Sequence, residues 1–377
     1  MSPPIRVAII GLGRATGGFV PGAWGSQAHL PFLSASPDFE VTAICNSTAA
    51  SAQESIDYWK LPPTVKAYGS SSDLAQDPNV DIAVVSVNVG KHYILTKPLL
   101  EAGKDVFVEW PLGATLAESK ALAALANDKG VKTVVGAQSR ASPYVKAIRD
   151  IVASGEIGDV VSTTASDPFA GLPIGVWIDG ADYYLDRNSG GNSLTISFGH
   201  FLDAFLHVLG PFAEGQGALS SILNTKFPNL AIVDGNTFAP TGRTVTRTSA
   251  DHILVQGRLA SGALVNLNWH TVPQPFTAEG TSWTITGTKG TIELKGQPVG
   301  WQMLTHDQVV VRVKIEGKEA REVELDSKVE VGSGGPGQNT AKTWEAWRKG
   351  EESNFPDFVK AVETHEVLER IKKVAGW

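Results

Sequence analysis

A histidine and a tyrosine near the middle of the chain have side chains that can exchange protons with a substrate. His200, Asp203 and His207 share one face of a predicted helix. A histidine pKa near neutrality suits general acid or base catalysis, and Tyr184 is a candidate helper in a substrate pocket. The alternatives are that His200 is hydrogen-bonded inside a closed core and that Tyr184 is an ordinary strand residue. The three helical residues have metal-ligand spacing, but no further ligand is evident, so we predict no metal site.

The first apolar run of the chain leads directly into glycines. Gly11 and Gly13 follow the run Arg6–Ile10 and are themselves followed by Arg14 and Ala15. Gly11 permits a tight turn, and Gly13 lets the backbone approach a pyrophosphate at the start of a helix. A strand, a glycine turn and a helix in this order predict a dinucleotide site, and a purely structural glycine turn is the alternative.

The residues after the second predicted strand are polar but uncharged. Cys45 is followed by Asn46 and Ser47, where an acidic residue would bind the adenosine ribose and repel a 2′-phosphate. The missing acid, together with Arg14 in the glycine loop, favours NADP(H), and NAD(H) remains open. Arg14 as a solvated surface charge is the alternative.

Four further candidates stand at the ends of the third and fourth predicted strands, where doubly wound folds bind ligands. Asn88 and His92 follow the third strand, and Glu109 and Trp110 follow the fourth. Glu109 either contacts the nicotinamide ribose or balances a neighbouring charge. Trp110 either covers the nicotinamide or fills core space. Arg140, after the fifth strand, pairs with a substrate anion or with a carboxylate of the fold.

The first 140 residues contain the elements that would carry these side chains to one sheet edge. Short apolar runs alternate there with helical patterns, which is typical of a parallel sheet covered by helices. Capping signals predict helices that begin after Thr115 and after Ser142. The predicted strands are Arg6–Ile10, Glu40–Cys45, Ile82–Val87, Asp105–Val108 and Val131–Val135.

From Val160 onward the pattern is rich in strands. One helix, Gly199–Leu209, interrupts them, Val331–Gln338 is predicted to be a flexible loop, and a final helix covers Pro356–Val374. We therefore predict an α/β Rossmann domain over residues 1–140. An α+β C-terminal domain over 141–377 has an open, mostly antiparallel sheet, which leaves a face for a homodimer. Its predicted strands are Val160–Ser166, Asp251–Leu259, Ala263–His270, Ser282–Thr286, Thr291–Leu294 and Val309–Ile315.

Charge and composition exclude several classes of partner. The 377 residues carry a formal net charge of −7, which argues against direct binding to nucleic acid or to anionic membranes. No apolar stretch is long enough to span a membrane, and no signal peptide is predicted before Ile5. Cys45 is the single cysteine, so no internal disulfide can form. These features predict a cytoplasmic protein.

Several segments together indicate a family. Val84–His92, Leu100–Leu112, Gly155–Gly158 and Gly199–Asp203 resemble the glucose–fructose oxidoreductase and inositol dehydrogenase (Gfo/Idh/MocA) family, which has Glu-Lys-Pro at the position of Glu109-Trp110-Pro111. The Glu-Trp pair resembles the fungal branch of the family that contains the galactose-pathway repressor. The resemblance implies a Rossmann fold, a nicotinamide dinucleotide cofactor and a second, substrate-binding domain.

The resemblance also shows what this chain lacks. Dehydrogenases of the family move a proton with the Lys of Glu-Lys-Pro, an Asp and a His, whereas this chain has Trp110, Ile196 and His200 at those positions. The first hypothesis is an oxidoreductase, preferably using NADPH, that acts on a sugar-like or other small carbonyl, alcohol or imine through His200 and Tyr184. The alternative is a non-catalytic, dinucleotide-binding regulator of a transcription activator, for which a nuclear location is open.

Overall fold

The computed structural model describes residues 3–14, 22–272, 280–335 and 337–377. Its strands are β1 Ile5–Ile10, β2 Phe39–Cys45, β3 Lys66–Tyr68, β4 Ile82–Val85, β5 Asp105–Val108, β6 Thr133–Val135, β7 Val160–Phe169, β8 Val176–Ile178, β9 Leu219–Asn224, β10 Asn229–Val233, β11 Pro240–Thr246, β12 His252–Arg258, β13 Leu264–Thr271, β14 Thr281–Gly287, β15 Gly290–Gly296, β16 Val309–Ile315 and β17 Arg321–Glu322. Its α-helices are α1 Leu30–Ala35, α2 Ala49–Tyr58, α3 Ser71–Ala75, α4 His92–Glu101, α5 Leu116–Lys129, α6 Pro143–Ala153, α7 Gly199–Leu209, α8 Gly337–Lys349 and α9 Phe358–Ala375.

The first sheet is parallel throughout and has the strand order β3-β2-β1-β4-β5-β6. Its central strands are apolar on both faces because helices cover both sides. The order reverses between β1 and β4, and ligands of doubly wound sheets bind at the carboxyl ends beside such a reversal. The predicted Rossmann fold is confirmed, and the predicted strands correspond to β1, β2, β4, β5 and β6.

The second sheet has the order β17-β16-β15-β14-β7-β13-β12-β9. Its neighbours pair antiparallel except β7 and β13, which run parallel, so the predicted open, mostly antiparallel sheet is confirmed. A separate sheet of order β11-β10-β8 was not predicted. Its outer strand β11 is almost wholly exposed, so it lacks the apolar alternation that marks a strand.

The predicted helix boundaries rest on side-chain caps that the structure contains. The Thr115 hydroxyl accepts the Glu118 N–H at 3.1 Å and begins α5. Gly130 ends the same helix with φ of 64°, a left-handed conformation that glycine adopts without strain. The Ser142 hydroxyl accepts the Val145 N–H at 3.3 Å and begins α6. Local capping chemistry therefore predicted these helices correctly.

The last two helices contact the first sheet. Trp344 of α8 is fully buried, with its ring 4.9 Å from Phe107 of β5 and 5.4 Å from Phe39 of β2. The Val135 N–H of β6 donates to the Pro356 carbonyl at 2.8 Å, just before α9. Val331–Gln338 was predicted to be a loop. This prediction is wrong at the end of the segment, because α8 begins at Gly337. The domain division at residue 140 remains a prediction.

Two wide π-helical turns flank the space between the sheets. Gly25–His29 leads into α1, and Leu194–Phe198 leads into α7. Such turns occur often at functional sites because they displace side chains from the regular helical positions. Separately, no helix within the described ranges is long and apolar enough to cross a membrane.

Candidate functional site

One cleft of about 790 Å³ lies between the carboxyl edge of the first sheet and the second half of the chain. Its size is within the range of small-molecule and cofactor sites. Ser86, Asn88, Glu109 and Trp110 line it from the first sheet. Other lining side chains follow β6 in the chain, and these include Phe169, Trp177, Tyr183, Tyr184, Ile196 and His200.

The glycine loop has the close approaches that require glycine. Gly11 has φ of 94°, and a Cβ there would lie 2.3 Å from the Ser86 carbonyl oxygen. A Cβ on Gly13 would lie 2.4 Å from the Gly22 carbonyl oxygen. This bare backbone beside the strand-order reversal fits a dinucleotide pyrophosphate. The predicted contact at Ala15 lies outside the described residues.

Side chains from α2 and the residues before it hold the glycine loop in place. Asn46 Nδ2 donates to the Leu12 carbonyl at 3.1 Å, and it also lies 3.1 Å from Ser51 O and from Ser55 Oγ. The Trp59 indole N–H donates to the Gly13 carbonyl at 2.8 Å. The amide N–H groups of Asn46, which we predicted to contact the cofactor, therefore bind the loop and α2.

The charged side chain of the loop has a partner on α2. Arg14 Nη1 lies 3.0 Å from Glu54 Oε2, and both side chains are more than half exposed. Ser47, at the same edge, is also exposed. Arg14 is therefore neither buried nor fixed, and a surface ion pair of this kind is weak enough to exchange partners.

The two candidates after β4 use their polar atoms within the fold. Asn88 Oδ1 accepts the Gly90 N–H at 2.9 Å. The His92 ring lies between two carbonyl oxygens, with Nδ1 2.8 Å from Pro111 O and Nε2 3.0 Å from Val87 O. Burial lowers the pKa of His92, so the ring is neutral and donates to one of these carbonyls at a time. Both side chains line the cleft and shape the end of β4.

Glu109 has a buried partner behind the cleft. Its Oε1 lies 2.6 Å from His29 Nε2, and the Trp344 indole N–H donates to His29 Nδ1 at 3.0 Å. Indole nitrogen only donates, so His29 Nδ1 must accept and the ring hydrogen must lie on Nε2. His29 therefore donates to Glu109 at the cleft wall.

Trp110 is buried and fixed beside His200. Its indole N–H donates to the Thr195 carbonyl at 2.6 Å. Its ring lies 4.8 Å from the His365 ring and 6.4 Å from the His200 ring. A Cβ on Gly199 would come within 2.8 Å of the indole nitrogen, so the start of α7 packs directly on Trp110. The side chain therefore belongs both to the core and to the cleft wall.

His200 is at the cleft, but its protonation differs from our expectation. Burial lowers its pKa to about 4, although the charges of Glu109 and Asp203 act in the opposite direction. The expectation of a pKa near neutrality is wrong, because a ring 5% exposed loses the hydration that stabilises its charged form. Its Nδ1 has no partner among the described residues, and the choice between a catalytic and a core role for His200 stays a prediction.

Tyr184 lines the same cleft as a protonated phenol. Burial raises its pKa to about 12, and its hydroxyl shares a short hydrogen bond with Ser197 Oγ. Its ring lies 5.0 Å from the ring of Trp177. The structure therefore brings Tyr184 and His200 together, as predicted, with both side chains in their neutral forms.

The remaining charged candidates form an internal ion pair. Arg140 Nε and Nη2 each lie 2.7 Å from a carboxylate oxygen of Asp203, and both side chains are buried. Arg140 thus pairs with a carboxylate of the fold. Within the described ranges, no group of three or more His, Cys, Asp or Glu side chains could hold a metal ion.

Sequence reasoning missed His29, Trp344, Gln138 and Asp307. His29 and Trp344 meet across 315 positions of the chain, so no local pattern could pair them. Gln138 and Asp307 line the cleft from a turn before α6 and a turn before β16. Trp344 carried one available signal, because it lies on the apolar face of an amphipathic helix.

Comparison with known proteins identifies the relatives of the chain. Residues 5–137 match the model "Oxidoreductase family, NAD-binding Rossmann fold" (Gfo/Idh/MocA), and residues 143–296 match "Gal80p, C-terminal domain". The dehydrogenase aclE of Aspergillus oryzae is 34% identical over 305 residues, which are 78% of each protein. The chain belongs to the Gfo/Idh/MocA oxidoreductase family.

Other relatives within the Gfo/Idh/MocA family are regulators by name. The galactose/lactose metabolism regulatory protein GAL80 of Saccharomyces cerevisiae is 27% identical over 78% of this chain and 67% of its own length. A crystal structure of a super-repressor mutant of Gal80p from the same yeast has a TM-score of 0.83 and 23% identity, and covers 99% of this chain and 96% of that one. The structural likeness shows the shared fold.

The Gfo/Idh/MocA resemblance allows residues of the cleft wall to be compared with the family's proton-transferring side chains. The resemblance aligns the family's proton-transferring Lys and Asp with Trp110 and Ile196, and both of these residues line the cleft. Neither exchanges a proton. The titratable side chains that line the cleft after residue 168 are Tyr183, Tyr184, His200 and Asp307.

Proposed function

We propose that the protein is an NADP(H)-dependent oxidoreductase that reduces a carbonyl or imine group of a small substrate. One observation carries this proposal: a single cleft brings the carboxyl edge of the Rossmann sheet, at Ser86 and Glu109, together with Tyr184 and His200. Membership of a family with a nicotinamide-dinucleotide-binding domain supports the cofactor. When bound, the reduced dinucleotide supplies a hydride.

The protonation states favour reduction over oxidation. Alcohol oxidation needs a base at the substrate oxygen, and a histidine with a pKa of about 4 is a weak base. Carbonyl reduction instead needs a proton donor, and Tyr184 keeps its proton across the physiological range. Its hydrogen bond with Ser197 orients the hydroxyl, and the neutral ring of His200 lines the same cleft.

The preference for NADP(H) over NAD(H) is supported by charge. No acidic residue follows β2 directly, and Arg14 stands on the glycine loop within reach of α2. A 2′-phosphate would have to draw Arg14 away from Glu54, which costs little because both side chains are exposed. NAD(H) has no group that compensates for this change.

A second candidate function is regulation without catalysis. The observation that favours it is the match of residues 143–296 to the Gal80p C-terminal domain, together with the replacement of both family proton donors. Under this proposal the chain binds a dinucleotide and then an activator protein, either in the cytoplasm or in the nucleus. Homodimerisation through the exposed face of the eight-stranded sheet is compatible with both proposals.

Titration with NADPH and NADH, followed by nicotinamide fluorescence, tests the cofactor. A panel of sugars, ketones and imines, followed by cofactor oxidation, then tests catalysis. The oxidoreductase proposal expects tight NADPH binding and turnover of at least one ketone or imine. Tight binding with no oxidation, together with a partner recovered only in the presence of NADPH, would favour the regulator. Failure to bind either cofactor would contradict both proposals.

A further inference from the structure

The carboxylate of Glu109 faces the cleft without a cationic partner. His29 uses its one ring hydrogen to donate to Glu109 Oε1 at 2.6 Å, because Trp344 occupies the other ring nitrogen as a donor. The neutral ring orients the carboxylate but does not cancel its charge. Glu109 is only 8% exposed, so little water screens that charge.

The rest of the cleft adds negative charge and no positive charge. Among the described lining residues there is no Lys or Arg, and Asp307 is a second carboxylate. A hydrogen bond from Thr305 lowers the pKa of Asp307, so it is ionised. Arg247 lies behind the wall over the ring of Trp177, but Asp251 neutralises it at 3.3 Å.

Another part of the cleft lining is aromatic. Phe169, Trp177 and Tyr184 line it, and we call these three residues the aromatic wall. Aromatic faces attract cations and stack on flat apolar groups. Beside this wall, His200 Nδ1 is buried without a partner and is available to a hydrogen-bond donor after a small rotation of the ring. A carboxylate, an acceptor nitrogen and aromatic rings are together suited to a cationic N–H or N-alkyl group.

We propose that the cleft is selective for a cationic C=N substrate, an iminium or protonated imine that carries a flat apolar group. This inference rests on the proposed oxidoreductase function and specifies its substrate class. A hydride and its electron pair pass from the reduced nicotinamide dinucleotide to the carbon, and the C=N π pair becomes the nitrogen lone pair. The product is a neutral amine, and the dinucleotide leaves in its oxidised form. No proton moves, so Trp110 and Ile196 need not replace the family's proton donors.

Binding of an unreactive cation tests the selectivity without turnover. With NADPH bound, we expect benzyltrimethylammonium to bind roughly tenfold more tightly than its uncharged analogue benzyl dimethyl carbinol, as measured by calorimetry. Glu109→Gln retains a carbonyl that accepts the His29 N–H but removes the charge, so the two probes should then bind equally. Glu366→Gln, an exposed carboxyl-to-amide change on α9, is the matched control and should keep the preference.

Turnover gives the second readout. Wild-type protein should reduce an N-methyl dihydroisoquinolinium with a kcat/KM at least tenfold above that for the neutral ketone β-tetralone, and Glu109→Gln should lower only the former. Equal binding of both probes by NADPH-loaded wild type, or a preference that survives Glu109→Gln, would overturn the substrate class and leave the oxidoreductase proposal intact. If Glu109→Gln does not fold, the two wild-type comparisons decide. Absence of NADPH binding would overturn both proposals.

Discussion

At the scale of single residues, Tyr184 and His200 share a cleft in which burial favours the neutral form of each side chain. The pKa of Tyr184 rises to about 12 and that of His200 falls to about 4. At neutral pH the tyrosine can give a proton and the histidine cannot. The residue that sequence reasoning ranked first as an acid or base therefore serves better as a hydrogen-bond acceptor.

Removal of the Tyr184 hydroxyl should separate proton transfer from binding. We expect Tyr184→Phe to lower kcat for a neutral ketone roughly hundredfold, because general acid catalysis is lost. NADPH affinity should not change, since the hydroxyl bonds with serine side chains of the second sheet's side of the cleft, Ser197 and Ser193, and not with the Rossmann sheet. Steady-state kinetics and fluorescence titration measure the two effects, with Tyr93→Phe on α4 as the matched control. A ketone kcat that is unchanged in Tyr184→Phe would exclude Tyr184 as the donor.

The pair of Arg14 and Glu54 should set the choice of dinucleotide. Glu54→Gln frees Arg14 and removes a negative charge near the expected 2′-phosphate. We expect NADPH to bind roughly two- to fivefold more tightly and NADH to be unaffected, in line with the strength of exposed ion pairs. Arg14→Ala should abolish the preference.

Calorimetry with both cofactors measures these affinities. Glu363→Gln, which breaks a similar exposed pair on α9, serves as the control. Equal gains for NADPH and NADH in Glu54→Gln would contradict a role for Arg14 at the phosphate.

At the scale of elements, local patterns predicted what local chemistry determines. The strands of the first sheet are continuous apolar runs, and α5 and α6 begin at hydroxyl caps, so their sequences predict them. Strand β11 is exposed, and β8 is only three residues long. Neither strand therefore shows the alternation of apolar and polar residues by which a strand is recognised in a sequence. Helix α8 follows glycines and a proline that indicate a loop, and contact with the first sheet stabilises it.

The site divides in the same way. Gly11, Gly13 and Glu109 follow strands whose carboxyl ends must meet, so sequence reasoning could place them at one edge. His29 and Trp344 meet only because α8 returns to the first sheet, which depends on tertiary packing. Asn46 was predicted as a ligand contact from its position in the sequence. In the structure its side-chain amide donates hydrogen bonds to the glycine loop and to α2.

Helix α8 should therefore influence the cleft through one hydrogen bond. Trp344→Phe keeps most of the packing with Phe107 but leaves His29 Nδ1 buried without a donor. We expect the free energy of unfolding to fall by about 1–3 kcal/mol, the cost of an unsatisfied buried polar atom. The His29 ring hydrogen can then occupy either nitrogen, so Glu109 loses part of its orientation.

Urea denaturation measures the stability change, and nitrogen-detected NMR of the histidine rings reports the tautomer. Trp347→Phe is the matched control, because its indole nitrogen has no partner among the described residues. A ring hydrogen on Nδ1 of His29 in the wild-type protein would contradict the assigned direction of the hydrogen bonds.

At the scale of the whole molecule, α7 and α9 bury histidines that stay neutral. Burial lowers the pKa of His200 and of His207 to about 4, and that of His365 to about 3. The pKa of Asp167 shifts in the opposite direction, because burial raises it to about 6. These groups lie on β7, α7 and α9, so they couple the stability of the whole fold to pH.

The sign of this coupling follows from which state binds the proton. Below the ordinary histidine pKa of about 6.5, His200, His207 and His365 are protonated in the unfolded chain but stay neutral in the folded chain. The free energy of unfolding therefore falls as pH falls. Asp167 takes up its proton in the folded chain first, which offsets the effect of one of the three histidines.

With about 1.4 kcal/mol per pH unit for each group, we expect a net loss of about 3 kcal/mol in the free energy of unfolding between pH 6 and pH 5. Urea denaturation across this range measures it, and His207→Gln, which retains an acceptor for Arg149, should make the loss smaller by about 1.4 kcal/mol. A free energy of unfolding that is constant from pH 7 to pH 5 would show that these rings are hydrated, and would remove the physical basis for treating His200 as a neutral acceptor.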